Sequence, residues 1–177
     1  MKATGIVRRI DDLGRVVIPK EIRRTMRIRD GEPLEIYVDR EGEVILKKYS
    51  PITDLGQYAK EYADSLHEAI GYIVCVADRD EIIAVSGGFK KDLLKKSIGN
   101  VLEDIISSAQ TKILQEEHSL TDDERVTFKN SVIAPIVTNE NAIGAVIITS
   151  NEDVQMGNLE NKLAETAAAF LAKQMKE

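Results

Sequence analysis

The chain has 177 residues, a net charge of −6, 43% hydrophobic and 31% charged residues, no tryptophan and one cysteine. No apolar run approaches the roughly 18 residues of a membrane-spanning helix, and the opening "MKATGIVRRI" lacks the apolar centre of a secretory signal. One cysteine excludes an internal disulfide, so the composition predicts a cytoplasmic protein with an aliphatic core.

The net charge conceals an asymmetry. Residues 1–50 carry 12 Lys+Arg against 9 Asp+Glu, whereas residues 51–177 carry 12 against 21. Within residues 1–30 the count is 9 against 4. A basic end on an acidic chain points to a polyanionic partner.

In chain order, "TGIVRRI" (4–10) and "RVVI" (15–18) read as short strands about the turn "DDLG". Pro19 then opens a helix, where its fixed φ and missing N–H do no harm. "RIRDGEP" breaks that helix. In "LEIYVDR", Leu34, Ile36 and Val38 alternate with Glu35, Tyr37 and Asp39, which predicts a half-buried strand. "EGE" turns it into "VILKKY", completing a hairpin. A unit this small has a marginal core of its own, so an obligate, intertwined dimer is expected.

"SPITDLG" (50–56) forms the joint and the start of a helix. Along that helix Leu55, Ala59, Tyr62, Leu66 and Ala69 suit either a coiled-coil seam or packing on the domain's own core. "YIVCVAD" and "EIIAVS" read as strands, and "KKDLLKKSI" and "NVLEDIISSAQTKILQEE" as helices. "RVTFK", "SVIAPIVT" and "AIGAVIITS" are predicted strands, with "NENAIG" a hairpin turn. "NLENKLAETAAAFLAKQM" closes the chain as an amphipathic helix, apolar at Leu159, Leu163, Ala167, Phe170 and Leu171. This order is α+β.

The basic helix carries the sharpest signal. At helical spacing Lys20, Arg23, Arg24 and Arg27 fall within an arc of about 100°, opposite Ile22 and Met26. Arg8, Arg9 and Arg15 add to the field. Neighbouring cations repel one another, and a phosphate backbone relieves that repulsion. Spacing alone leaves nucleic acid, an acidic protein partner and a solvated surface all open.

The stretch "TGIVRRIDDLGRVVIPKEIRRTMRIRDGEPLEIYVDREGEVILKKY" closely resembles the N-terminal domain of AbrB-type transition-state regulators. The resemblance implies an α+β chain whose N-terminal swapped-hairpin β-barrel is dimeric and binds double-stranded DNA. The family's DNA-contacting arginines map to Arg8, Arg15, Arg23 and Arg24, with Lys2, Arg9, Lys20 and Arg27 as supporting candidates. The chain as a whole resembles sporulation-stage regulators, activators and repressors alike, that join this barrel by a helix to a GAF-like α/β sensor domain. That implies a DNA-binding domain at 1–50, a linker at 51–56 and a regulatory domain at 57–177. It also implies tetramers paired through the C-terminal domain and a nucleoid-associated location. Related barrels occur in antitoxins, which makes an antitoxin-like inhibitor the alternative reading.

In the second domain Ser86, Gly87 and Gly88 suit either a small-molecule pocket or a plain turn. Cys75 reads as a buried small hydrophobe. His67 is expected on a helix face and His118 in a solvated turn, neither with metal-ligand spacing or a nucleophile partner. Asp122, Asp123 and Glu124 read as a solvated loop, and Asn161-Lys162 lacks the rest of a cyclic-nucleotide signature. No cofactor, metal or enzymatic activity is expected.

Overall fold

The computed structural model describes residues 6–49 and 56–175. The chain divides into two compact units, Met1–Tyr49 and Ser50–Glu177.

In the first unit α1 spans Lys20–Thr25, and the antiparallel hairpin β1–β2 spans Leu34–Val38 and Val44–Lys48. Pro19, extended at φ −56 and ψ 147, precedes the first helical turn. The helix ends when Arg27 takes φ 52 and the N–H of Ile28 reaches back to the carbonyl of Arg23 at 2.7 Å. That left-handed closure satisfies carbonyls that the helix itself leaves unbonded.

The two predicted N-terminal strands do not form. Residues 6–10 and 15–18 join no ladder, and Thr4 and Gly5 lie outside the described residues. Only the turn between them is closed, by Asp11 N–H to Arg15 O at 3.1 Å and Gly14 N–H to Asp11 O at 3.0 Å. A strand needs a ladder partner, and one chain supplies none here. The half-buried strand expected at 34–38 is likewise exposed, with Ile36 at 66% and Val38 at 72%. Met26, expected inside, is 45% exposed, and Ile22 is half-buried. Pro19 alone is fully buried among the described residues of this unit.

The second unit is the reverse case. Its antiparallel sheet has the order β4-β3-β9-β8-β5, from Ile82–Ser86, Ile73–Asp78, Asn141–Ser150, Asn130–Thr138 and Lys112–Leu114. A small ribbon pairs β6 (His118–Ser119) with β7 (Thr127–Phe128). Strand alternation divides the apolar side chains between two cores. Val74, Val76, Val132, Val146 and Ile148 face α2 (Gly56–Ile70) and α5 (Asn158–Gln174). Cys75, Ala77, Ile133, Ala145 and Ile147 join the opposite core, with Leu93 of α3 (Lys90–Leu93) and Leu102, Ile105 and Ile106 of α4 (Asn100–Ser108). Cys75 is fully buried, which pushes its thiol up to about 12.

Of the two readings of α2, packing on its own domain holds: Ala59, Ala63 and Leu66 sit in the first of these cores, and Tyr62 stacks on Phe170 at 5.1 Å. Ala69 is exposed, and Leu55 lies outside the described residues. Two predicted helices prove shorter. The first stops at Leu93, with Leu94 extended and Lys95 at φ 64; the second stops at Ser108, with Ala109 at φ 52. Residues 112–114, predicted helical, become the edge strand β5. On α5 the buried stripe runs through Ala164, Ala167, Ala168, Leu171 and Ala172, and Leu159 and Phe170 are exposed. Small residues let this helix lie close to the sheet. Its first turn is closed by the Gly157 N–H bonding Glu160 Oε2 at 2.7 Å.

Gly87 lies where α2 meets the end of β4. Its φ is +93, and a Cβ there would stand 2.5 Å from His67 Nδ1. The His67 ring cannot swing away freely, because Nδ1 donates to the Tyr72 carbonyl at 2.8 Å. Gly87→Ala should therefore destabilise the second unit by about 1–3 kcal/mol, from left-handed strain plus the clash. Urea unfolding of the full chain would show a lowered midpoint for that unit; an unchanged midpoint would contradict this packing.

Candidate nucleic-acid interface

The basic side chains of the first unit are arranged by two short devices, the turn 11–15 and helix α1. At the turn, Asp11 Oδ1 accepts the backbone N–H of Leu13 at 3.0 Å and of Arg15 at 2.8 Å. Its other oxygen accepts Arg15 Nε–H at 2.8 Å. The Arg15 N–H, and next its guanidinium, hold the Asp11 carboxyl below its ordinary range. Arg15 stays well exposed, with 70% of its side chain accessible. Arg8 and Arg9 are exposed on the segment leading into the turn, and Arg8 Nη1 bonds the neighbouring Val7 carbonyl at 3.4 Å.

On α1, Lys20 and Arg24 are exposed, one turn apart on a shared face. Arg23 is half-buried and differs from them: its Nη1 donates to Asp30, and its Nε is buried without a partner. Arg27 does not extend the helical arc as expected, because it occupies the left-handed position just past the helix end. The arc of four is therefore a helical trio plus a residue on the following turn. Lys2 lies outside the described residues.

Sequence reasoning missed the carboxylates. Asp11 and Asp30 each take a guanidinium that the charge pattern treats as unengaged. For Asp11 the signal was present as an aspartate opening the turn four residues before an arginine. Nothing in the pattern separates Arg23 from Arg24.

In the second unit a cavity of about 510 Å³ is lined by Gly99, Asn100, Glu116, Glu117, Asp122 and Glu124, among others. With carboxylates in this lining and neither lysine nor arginine, it disfavours an anionic ligand. Residues 86–88, considered as a pocket edge, instead turn the chain against His67, and they do not line this cavity.

His118 also departs from expectation. It is only 8% exposed, its Nδ1 donates to the Glu116 carbonyl at 2.7 Å, and its Nε2 meets Ser131 Oγ at 2.7 Å. Ser131 Oγ lies 2.6 Å from Thr149 Oγ1, which donates to the Asn130 carbonyl at 3.1 Å. This buried chain ties the β6 ribbon to β8 and β9, since buried polar groups need partners. Ser131 is fully buried, so its contact with an imidazole does not offer a nucleophile to solvent. Asp123 accepts from Thr121 Oγ1 at 2.9 Å and lies 3.4 Å from Arg125 Nε and 3.7 Å from Lys96 Nζ. Among the described residues no group of three or more His, Cys, Asp or Glu is placed to hold a metal ion.

Comparisons with known proteins also divide the chain in two, with matches that meet at residue 54, a few residues past the division at Tyr49. Residues 54–176 match the family described as "Stage V sporulation protein T C-terminal, transcription factor", and residues 7–54 match "Antidote-toxin recognition MazE, bacterial antitoxin". The chain is 56% identical over 183 residues to stage V sporulation protein T of Bacillus subtilis (strain 168), covering all of both chains. Over 51 residues it is 65% identical to the transition state regulatory protein AbrB of the same organism, covering 29% of this chain and 52% of that one. The structure of a GAF domain from an Acinetobacter phosphoenolpyruvate-protein phosphotransferase superposes with a TM-score of 0.54 at 11% identity, covering 69% of this chain and 82% of that one. At that identity the likeness shows the fold alone, which is GAF-like in the second unit. Matched along its whole length, the chain belongs to the stage V sporulation protein T family.

Proposed function

We propose that this chain is a DNA-binding transcriptional regulator of sporulation-stage genes, able to activate and repress, which grips double-stranded DNA through its basic first unit. The observation that carries this reading is the exposure of Arg8, Arg15, Lys20 and Arg24 along a stretch that matches AbrB at 65% identity over 51 residues. Phosphate contacts by such side chains release counterions, which drives binding and makes it salt-dependent. Arg8, Arg15, Arg23 and Arg24 are the proposed contacts, with Lys2, Arg9, Lys20 and Arg27 in support.

The same reading assigns DNA binding to residues 1–50, a linker to 51–56 and regulation to 57–177. The exposed apolar side chains of the first unit support a dimer in which two swapped hairpins close one barrel. Pairing of the GAF-like domains would make a tetramer, and the 510 Å³ cavity offers room for a small ligand that biases how they pair. A cytoplasmic, nucleoid-associated protein fits this role, and no helix among the described residues is long and apolar enough to cross a membrane.

The match of residues 7–54 to the MazE antitoxin family supports a second reading, a protein that inhibits a partner and binds its own promoter. A folded five-stranded second unit in place of an extended tail favours the regulator. Co-purification of a stoichiometric toxin would reverse that preference.

Arg24→Ala tests the DNA-binding face, because no ion pair holds this side chain among the described residues and the fold should survive its loss. Fluorescence anisotropy with promoter duplexes should show weaker binding at every sequence and a log–log salt slope smaller by about one. Binding equal to the parent's at matched salt would remove Arg24 from the interface.

A further inference from the structure

The four proposed contact arginines are not held alike, and the difference assigns them different work. Arg15 is engaged through Nε, on the side edge of its guanidinium, by a carboxylate fixed to the backbone through two further hydrogen bonds. Arg23 is engaged at Nη1, one of the two terminal nitrogens, so its end-on edge is half occupied. Arg24 has no carboxylate partner among the described residues and is exposed.

A guanidinium carries five N–H donors in a rigid plane. Occupying Nε leaves the end-on pair, Nη1 and Nη2, whose spacing matches the O6 and N7 acceptors that guanine displays in the major groove. Phosphate tolerates a mobile cation, but a base edge must be met at a fixed angle. Asp11 supplies that fixity, because its Oδ1 is tied to the turn while Oδ2 holds the arginine.

We propose that Asp11 is a positioning residue that holds Arg15 by its Nε edge, leaving the Nη pair to read a guanine in the major groove. Arg15 is then the specificity-determining contact, and Arg24 a sequence-independent phosphate contact. The proposal rests on the DNA-binding reading and refines it.

The carboxylate has three separable roles. As a plain negative charge near DNA, Asp11 would weaken all binding, and its removal would raise affinity for every duplex equally. As a turn anchor only, its removal would lower every affinity together. As a positioning residue, its removal lowers affinity for preferred duplexes and leaves random-sequence binding equal or slightly tighter.

The test uses the full chain and duplexes that the parent enriches from a random-sequence pool. Asp11→Asn keeps an oxygen to accept the two backbone N–H groups and removes the charge that grips Arg15. Its ratio of selected to random-duplex affinity, at one salt concentration, should fall about ten-fold. A ratio unchanged, with both affinities moving together in either direction, would overturn the proposal. The parent protein supplies a check that needs no variant. Replacing one guanine of the selected duplex by 7-deazaguanine, position by position, should cost about ten-fold at one position per half-site. No sensitive guanine at any position would also overturn it. A parent that enriches no duplex and binds none would instead refute the DNA-binding reading on which the proposal stands.

Discussion

The first unit has too little interior of its own for its apolar side chains, and its other features follow from that constraint. Val7 is 86% exposed and Val17 72%, and Leu13, Ile36, Val38 and Val44 are open as well. Burying such residues is worth about 25 cal/mol per Å² of apolar surface, the main driving force any fold of this size has. A second copy supplies the missing layer in the swapped-hairpin reading, and the unpaired segments 6–10 and 15–18 then gain the ladder partners they lack. The charges follow from the same geometry. In that reading Ile22 and Met26 turn towards the shared core, and Lys20 and Arg24, exposed on the opposite side of α1, face outward. On the same reading, self-association and the polyanion-binding face are two consequences of one amphipathic arrangement.

The second unit satisfies itself. Its central strands are buried on both faces, and a chain of hydrogen bonds from His118 through Ser131 and Thr149 pins the outlying ribbon to the sheet. Its acidic character, 21 Asp+Glu against 12 Lys+Arg in residues 51–177, opposes that of the first unit. Such charge repels DNA over roughly a Debye length of 10 Å, so a division of labour between binding and regulation agrees with the electrostatics.

Much of this was legible in the sequence, and the exceptions share physical causes. Period-two alternation located β1, and near-continuous apolar runs located β3, β8 and β9, whose residues are buried on both faces of the sheet. The boundaries of helices failed where the chain enters the left-handed region without glycine. Lys95 and Ala109 carry positive φ and neither announces a stop, whereas the break read from Arg27 onward agrees with the end of α1. The long helix expected after Asn100 therefore ran past Ser108 into the edge strand β5. Burial in the first unit was overestimated for a different reason: alternation marks a face fit for packing, and the described residues of this unit leave that face exposed. In the interface itself, spacing found the cations, the family resemblance turned a polyanion into DNA, and neither showed that Asp11 and Asp30 hold Arg15 and Arg23.

The central claim is that the apolar face left open in one chain is the interior of a dimer that presents the basic turn and helix to DNA. Isotope-filtered NMR on a mixture of labelled and unlabelled full-length chains tests it most directly. Contacts between chains are expected from the methyl groups of Val7, Val16 and Val17 to those of Ile36, Val38 and Leu46. A monomer that keeps these methyls in solvent, shows no such contacts and still binds DNA fully would contradict it.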